Sequence, residues 1–347
     1  MSTFHSLTIK ELKKESKNAI SIVFHIPSEL KKKFQFIAGQ YITIKKQLAG
    51  KELRRAYSIC SAPNSGEFRI AVKAVDNGYF SVFATTILKQ GDMLEVSTPE
   101  GKFRLETAET NKKNYLGIAA GSGITPIMAM IKGVLTEEPN STFTLIYGNK
   151  TIDDTIFKNE IDALIQKYLD RFIVQYVFSR VQIEGALFGR IDQGNINFVK
   201  KHKIFDKAFL CGPADLINIA KKTLVSSGME ASSIYFELFS TPVLEIKENI
   251  EVFDEESEIT IILDGEKTTI FSEIKSTVLA AALKEGIDVP YSCQGGICSS
   301  CLAKITEGEV RMIKNIILSE EEVKNGLILT CQAHPTTQKI TIDYDDI

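Results

Sequence analysis

Four of the six cysteines in this chain fall near its carboxyl end in the spacing Cys293-x4-Cys298-x2-Cys301-x29-Cys331, and no other feature restricts so strongly what the chain can fold into. The first three sit in a run of small residues, Ser292-Cys293-Gln294-Gly295-Gly296-Ile297-Cys298-Ser299-Ser300-Cys301. Such a loop can wrap its backbone round an inorganic centre. Thiolates spaced C-x4-C-x2-C, with a distant fourth, hold a 2Fe–2S cluster, and the loop N–H groups are free to bond to the sulfurs. Four-cysteine zinc sites pair two short C-x2-C knuckles instead, which this sequence lacks. Cys60 and Cys211 stand alone, so a disulfide framework is not expected.

The rest of the chain must supply what such a centre works with. Its 347 residues suffice for two or three domains, and 44% hydrophobic with 24% charged residues is an ordinary globular composition. The start, Met1-Ser2-Thr3-Phe4-His5, runs into Lys-rich sequence with no apolar segment, and nowhere do enough apolar residues follow one another to span a bilayer. The expectation is a chain that is neither exported nor membrane-spanning, in the cytoplasm. Net charge is −3, but residues 1–106 hold 17 Lys and Arg against 10 Asp and Glu, whereas residues 255–347 hold 8 against 16. The acidic end suits a basic partner or the chain's own basic end. Nucleic-acid binding is not suggested, since Lys31-Lys32-Lys33 reads as a solvated turn.

Hydrophobic periodicity divides the chain into modules. Residues 1–106 alternate apolar and polar over short runs, as in Gln40-Tyr41-Ile42-Thr43-Ile44, the pattern of a small antiparallel barrel. From Asn114 apolar strands are followed by helical stretches, Tyr115 to Ala119 then Ile127 to Leu135, and Thr142 to Tyr147 then Asn159 to Tyr168, so residues 107–240 are expected to form an α/β domain on a parallel sheet. Residues 241–257 are acidic and weakly patterned, fitting a linker. A third domain, 258–347, carries the cysteines.

Two stretches read as nucleotide-handling. In Arg55-Ala56-Tyr57-Ser58 the arginine offers a planar fork for pyrophosphate, the tyrosine a flat face for a ring system, and the serine a hydroxyl for a ring nitrogen. Further on, Lys73 ends an apolar run and Gly78-Tyr79-Phe80-Ser81 opens a helix whose free N–H groups suit phosphate. In the middle module, the strand ending at Ala119 enters Ala120-Gly121-Ser122-Gly123-Ile124-Thr125-Pro126, a flexible loop at a helix N-terminus that favours a pyrophosphate. Pro126 occupies the third glycine position of the common dinucleotide fingerprint, so this is a different version of the motif.

Taken together these motifs resemble the ferredoxin-reductase family, and in their order the reductase components of multicomponent oxygenases. The barrel with Arg-x-Tyr-Ser, the Gly-Ser-Gly-Ile-Thr-Pro loop, the late Cys211-Gly212-Pro213 and the plant-type ferredoxin spacing all occur there. The resemblance implies a flavin-binding antiparallel β-barrel, a nicotinamide domain and a β-grasp ferredoxin domain of the α+β class. It implies that Arg55, Tyr57 and Ser58 contact the flavin, and that Lys73, Gly78 and Ser81 hold its phosphate side. FAD is the expected flavin, although FMN-binding relatives share the motif. Gly121, Gly123 and Thr125 would hold the nicotinamide cofactor, with Cys211, Gly212 and Pro213 near the nicotinamide. Ser179 and Arg180 stand where the family reads the adenosine ribose, and a hydroxyl with a guanidinium suits a 2′-phosphate, favouring NADPH with NADH left open. Glu237 and Phe239 match the segment that closes over the flavin. Cys211 also has a plain reading as a small hydrophobe at a strand end.

On this resemblance, hydride passes from NADPH to the flavin and single electrons to the cluster and then to an oxygenase component, expected to be a di-iron enzyme. Ser58 and Cys211 would stand at the reacting atoms. Alternatives are a reductase for another acceptor, such as a ring-hydroxylating oxygenase or a desaturase, or a non-catalytic redox sensor. No output or DNA-binding module is recognisable to support a sensor.

Overall fold

The computed structural model describes residues 4–48, 50–201, 203–239, 256–273 and 275–347. It divides into two compact units, one running from Phe4 to Ser240 and one containing the carboxyl-terminal region from Thr241. Most of the stretch read as a linker, 241–255, lies outside the described residues.

The first unit opens with an antiparallel sheet of β1 (Phe4–Ser16), β2 (Ala19–His25), β3 (Tyr41–Leu48), β4 (Lys51–Ser58), β5 (Phe68–Lys73) and β6 (Met93–Ser97), with helix α1 (Tyr79–Thr86) between the last two. Strand order is β4-β3-β6-β1-β2-β5. Leu7 and Ile9 on β1 are buried while Lys10 is exposed, the two-residue alternation of a strand with one face on a core. The two outer strands meet where Ile59 bridges Ile70 and the Cys60 N–H donates to the Arg69 carbonyl at 2.8 Å, closing the sheet into a barrel and removing its open edges.

The same unit continues as a parallel sheet of β7 (Asn114–Ala120), β8 (Thr142–Asn149), β9 (Phe172–Phe178), β10 (Leu187–Phe188), β11 (Lys207–Gly212) and β12 (Ile234–Leu238). Its helices are α2 (Ile124–Glu137), α3 (Lys158–Lys167), α4 (Gln193–Lys200) and α5 (Ala214–Ser226). Strand order β10-β9-β8-β7-β11-β12 puts β7 where the winding reverses, so the crevice for a ligand opens at the carboxyl ends of β7 and β11. The inner strands read as near-continuous apolar runs because helices cover both faces; Tyr115, Leu116, Ile118 and Ala119 of β7 are all buried. One apolar core joins barrel residues Ala38, Cys60 and Phe103 to Met130 and Val134 of α2, so barrel and parallel sheet form one body.

The second unit is a mixed sheet of β13 (Glu256–Leu263), β14 (Glu266–Glu273), β15 (Leu302–Glu307), β17 (Leu327–Leu329) and β19 (Lys339–Asp343), together with a small antiparallel pair of β16 (Val310–Met312) and β18 (Ala333–Pro335). Helices are α6 (Val278–Lys284) and α7 (Glu320–Lys324). β13 pairs parallel with β19 and antiparallel with β14. Glu256 and Ser257, read from the sequence as the end of a linker, are the first residues of β13, because their pairing with Glu273 and Ser272 extends the hairpin. Among the described residues no helix is long and apolar enough to cross a membrane.

Candidate functional site

The barrel residues gather at the end of β4. Arg55 is exposed and donates through Nη1 to the Arg54 carbonyl at 2.7 Å, while the Tyr57 ring packs 5.6 Å from Phe80 of α1. Burial pushes the Tyr57 hydroxyl upwards, so it stays a neutral phenol. Ser58 is buried and its Oγ donates to Glu237 Oε2 of β12 at 3.5 Å. At the start of α1, Ser81 Oγ accepts from the Val75 N–H at 3.2 Å and donates to the Gly78 carbonyl at 3.3 Å. A Cβ on Gly78 would lie 2.3 Å from that hydroxyl, so any larger residue would push the Ser81 side chain out of these bonds. The first N–H groups of α1 have no side-chain cap and remain available to an anion.

Lys73 Nζ lies 3.5 Å from the point where Gly121 would carry a Cβ, so the ammonium reaches the nucleotide turn. Burial lowers its pKa, Asp154 opposes this, and Lys150 adds to it.

The nucleotide turn is built from close approaches. Gly121 takes φ +55°, and a Cβ on Gly123 would sit 2.1 Å from the Cys211 carbonyl oxygen, so no side chain fits between β7 and β11. Thr125 Oγ1 donates to the Ser122 carbonyl at 3.1 Å, and the Tyr147 hydroxyl lies 3.0 Å from the Gly121 carbonyl that it bonds to. The turn Gly121–Gly123 that leads into α2 has no side-chain cap, leaving its N–H groups and the helix dipole for a phosphate. A Cβ on Gly212 would come within 3.0 Å of Leu216 Cδ2 and 3.3 Å of Ala120 Cβ, and Pro213 precedes α5. Two strands away, the Ser179 N–H donates to the Asn149 carbonyl and the Arg180 N–H to the Lys150 carbonyl, each at 3.0 Å, with the Arg180 side chain exposed.

Cys211 is 0% exposed and pairs in register with Glu237 on the neighbouring strand. Burial, with the Glu237 carboxyl beside it, pushes the thiol well above its ordinary range, so it is a neutral wall of the site. Protein groups crowd Glu237 from most sides although part of its surface stays open. Desolvation pushes its carboxyl up to about 8 against a weaker opposing hydrogen bond from Ser58. Phe239 is exposed at the end of β12. The structure thus brings together Ser58, Cys211 and Glu237 from three separate strands at the crevice between barrel and parallel sheet.

In the second unit the four cysteines pair two by two. Cys293 is hydrogen-bonded to Cys298, and Cys301 to Cys331. The Cys298 thiol and the N–H groups of Gly295, Ile297 and Cys298 outweigh burial and hold Cys293 down at about 6, favouring the thiolate that binds iron. The Gly295 N–H lies 3.3 Å from Cys293 Sγ, and Gln332 Nε2 donates to the Gln294 carbonyl at 3.1 Å, tying the two arms of the site. Gln294 and Gly296 both adopt positive φ, folding the loop so that its N–H groups face inwards. Two thiol pairs with inward N–H groups fit a centre of two irons, which takes two thiolates on each.

Sequence reasoning missed one feature here. Arg69, 6% exposed, meets Glu160 of α3 at 2.8 Å, Glu67 at 3.2 Å and Glu15 of β1 at 3.7 Å. Lys132 of α2 pairs with the same Glu160 and donates to the Cys60 carbonyl at 3.2 Å. Partners so far apart in the chain leave no local pattern.

Residues 6–105 match the family described as oxidoreductase FAD-binding domain, residues 118–222 that described as oxidoreductase NAD-binding domain, and residues 261–336 that described as 2Fe-2S iron-sulfur cluster binding domain. The chain is 38% identical to a subunit of 1,2-phenylacetyl-CoA epoxidase from Escherichia coli (strain K12), over 99% of both chains. It is 32% identical to the ferredoxin reductase component of 3-ketosteroid-9-alpha-monooxygenase from Rhodococcus rhodochrous, over 97% of this chain and 96% of that one. The solved structure of phthalate dioxygenase reductase has the same fold with a TM-score of 0.62 at 22% identity, covering 98% of each chain. An intact type IV self-sufficient cytochrome P450 monooxygenase matches with a TM-score of 0.71 at 21% identity, over 98% of this chain and 41% of that one. The chain therefore belongs to the family of modular ferredoxin-type reductases that join FAD-binding, NAD-binding and 2Fe–2S domains, and it is an NAD(P)H-dependent electron-transfer oxidoreductase.

Proposed function

We propose that the chain takes reducing equivalents from NADPH and delivers them singly to the oxygenase part of a phenylacetyl-CoA epoxidase. The observation that carries this reading is the 38% identity, over 99% of both chains, to a subunit of that enzyme. The bound flavin and cluster supply the conversion of a hydride into single electrons. The residues do the rest. Arg55, Tyr57 and Ser58 seat the flavin ring and its chain, and Gly78 with Ser81 offers the α1 N-terminus to a phosphate. Gly121, Gly123 and Thr125 shape the turn for the dinucleotide pyrophosphate, and Lys73 joins Gly78 and Ser81 on the flavin phosphate. Gly212 and Pro213 let the strand end approach the nicotinamide. Ser58, Cys211 and Glu237 enclose the reacting atoms and exclude water, and Phe239 covers the flavin edge. Cys293, Cys298, Cys301 and Cys331 hold the cluster.

NADPH is favoured over NADH by Ser179 and Arg180 at the carboxyl end of β9, where a hydroxyl and an open guanidinium suit a 2′-phosphate. Domain limits near residues 106, 240 and 258 and a cytoplasmic site of action belong to the same reading. A second reading, a different oxygenase as acceptor, is favoured by the 32% identity to a steroid monooxygenase component.

The test is stepwise. Anaerobic NADPH should bleach flavin and cluster absorption quickly, with kcat/KM for NADPH well above that for NADH. The reduced protein should then support epoxidation by the purified oxygenase part of phenylacetyl-CoA epoxidase, and delivery should weaken as salt rises because the second unit is acidic. Bleaching without epoxidation would overturn the acceptor and leave the reductase standing.

A further inference from the structure

Asn149 ends β8, the strand that lies between β7 and β9 in the sheet. Ala120 pairs with Gly148 and Asn149 with Phe178, so one step further along the strands Gly121, Asn149 and Phe178 stand level. A dinucleotide running from the Gly121 turn to Ser179 at the end of β9 must cross the carboxyl end of β8 at Asn149.

The side chain there is unusual. Asn149 is 8% exposed, yet neither Oδ1 nor Nδ2 has a hydrogen-bond partner. It stands close enough to the Tyr147 oxygen to ease ionisation of that buried hydroxyl, but outside hydrogen-bond geometry with it. The Tyr147 hydroxyl is engaged by the Gly121 and Ile156 carbonyls. Strand alternation places Asn149 on the face of Tyr147, the α2 face, where the free N–H groups of the turn lie. A buried carboxamide with no partner is a cost that folded chains seldom retain without use. Its main chain is already employed, since the Asn149 carbonyl accepts from the Ser179 N–H.

We propose that Asn149 is a dinucleotide-binding residue whose Nδ2 donates to a pyrophosphate oxygen, bridging the contacts made by the Gly121 turn and by Ser179. The inference rests on the nicotinamide-cofactor reading and deepens it. A donor facing an anion makes a charge-assisted bond, so losing it should weaken binding by about tenfold to a hundredfold.

The experiment measures dissociation constants of NADP+ and NAD+ for the oxidised holoprotein, by the change in flavin absorbance, in wild type, Asn149→Asp and Asn149→Leu. Both variants should bind the dinucleotides more weakly within that range, Asp worst because its carboxylate repels the pyrophosphate, with kcat at saturating cofactor retained. Asn149→Leu should at the same time raise the melting temperature of protein without nucleotide, because it removes an unpartnered buried amide. Gain in stability with loss in affinity is a pairing that a purely structural asparagine cannot give. Binding of 2′-AMP, which lacks the pyrophosphate, should be the same in all three proteins. Unchanged dinucleotide affinity in Asn149→Leu, or Asp binding as tightly as wild type, would overturn the proposal. If wild type binds NAD+ but not 2′-AMP, the NADPH preference fails while the Asn149 effect on NAD+ still decides this inference.

Discussion

Glu237 shows how one residue sets a pH dependence. Its carboxyl is pushed up to about 8 in the folded chain, above the ordinary value of 4.5, so the native state holds this proton more tightly than the unfolded chain does. The stability linked to it is complete below the ordinary carboxylate range and is lost as pH rises towards about 8. Glu237→Gln keeps the shape and removes the proton. Urea midpoints should then coincide with wild type near pH 4 and exceed it near pH 9; parallel curves at both would refute the assignment. Gly123 makes a steric prediction. A methyl there would meet the Cys211 carbonyl at 2.1 Å, a backbone atom that cannot step aside. Gly123→Ala should raise KM for NAD(P)H at least about tenfold and destabilise by about 2 kcal/mol, read from steady-state kinetics and denaturant melts.

At this same scale the sequence is legible wherever chemistry demands one residue type. The cysteine spacing names its centre without help, and Gly121 and Gly123 announce a tight turn. Lys73 is legible as a phosphate cation, whereas its reach to the Gly121 turn is not, because that depends on how β5 lies against β7. Asn149 looks like any strand-end amide until its lack of partners is seen.

Between elements, the Arg69 network ties β1 and β5 of the barrel to α2 and α3. Burial works to raise the Glu160 carboxyl, but Lys132 and Arg69 outweigh it and hold it below the ordinary range. Stability from a depressed carboxylate is present above its unfolded value and lost as pH falls through the folded one. Glu160→Gln leaves a largely buried guanidinium short of its counter-charge, which should cost on the order of 3 kcal/mol at pH 7 and much less near pH 3. Chemical denaturation at the two pH values checks this; an equal loss at both would show packing rather than charge at work. Strands and helices of the parallel sheet are readable from their apolar periods, while the short β10, β16 and β18 are not, since two or three residues carry no period.

The whole molecule holds separate cores. One is shared by the barrel and α2, another belongs wholly to the unit around Val278, Leu302 and Ile342. Calorimetry of the holoprotein should therefore show two transitions, and removing iron with a chelator should lower only that of the carboxyl-terminal unit. A single transition moving as one on iron removal would mean that the cores are coupled. Modular order is legible because each module carries its own signature; Glu256 and Ser257 look like linker until β14 pairs with them, so the first strand of the third module begins ahead of its apolar pattern.

Burial of sulfur has a practical consequence. Cys60, Cys211, Cys298, Cys301 and Cys331 are buried and Cys293 alone keeps open surface. A maleimide added to native protein finds one candidate, and iron bound to that sulfur denies it even this. The mass added by a brief labelling pulse thus counts the molecules in a preparation that have lost their metal, with no need for colour or turnover.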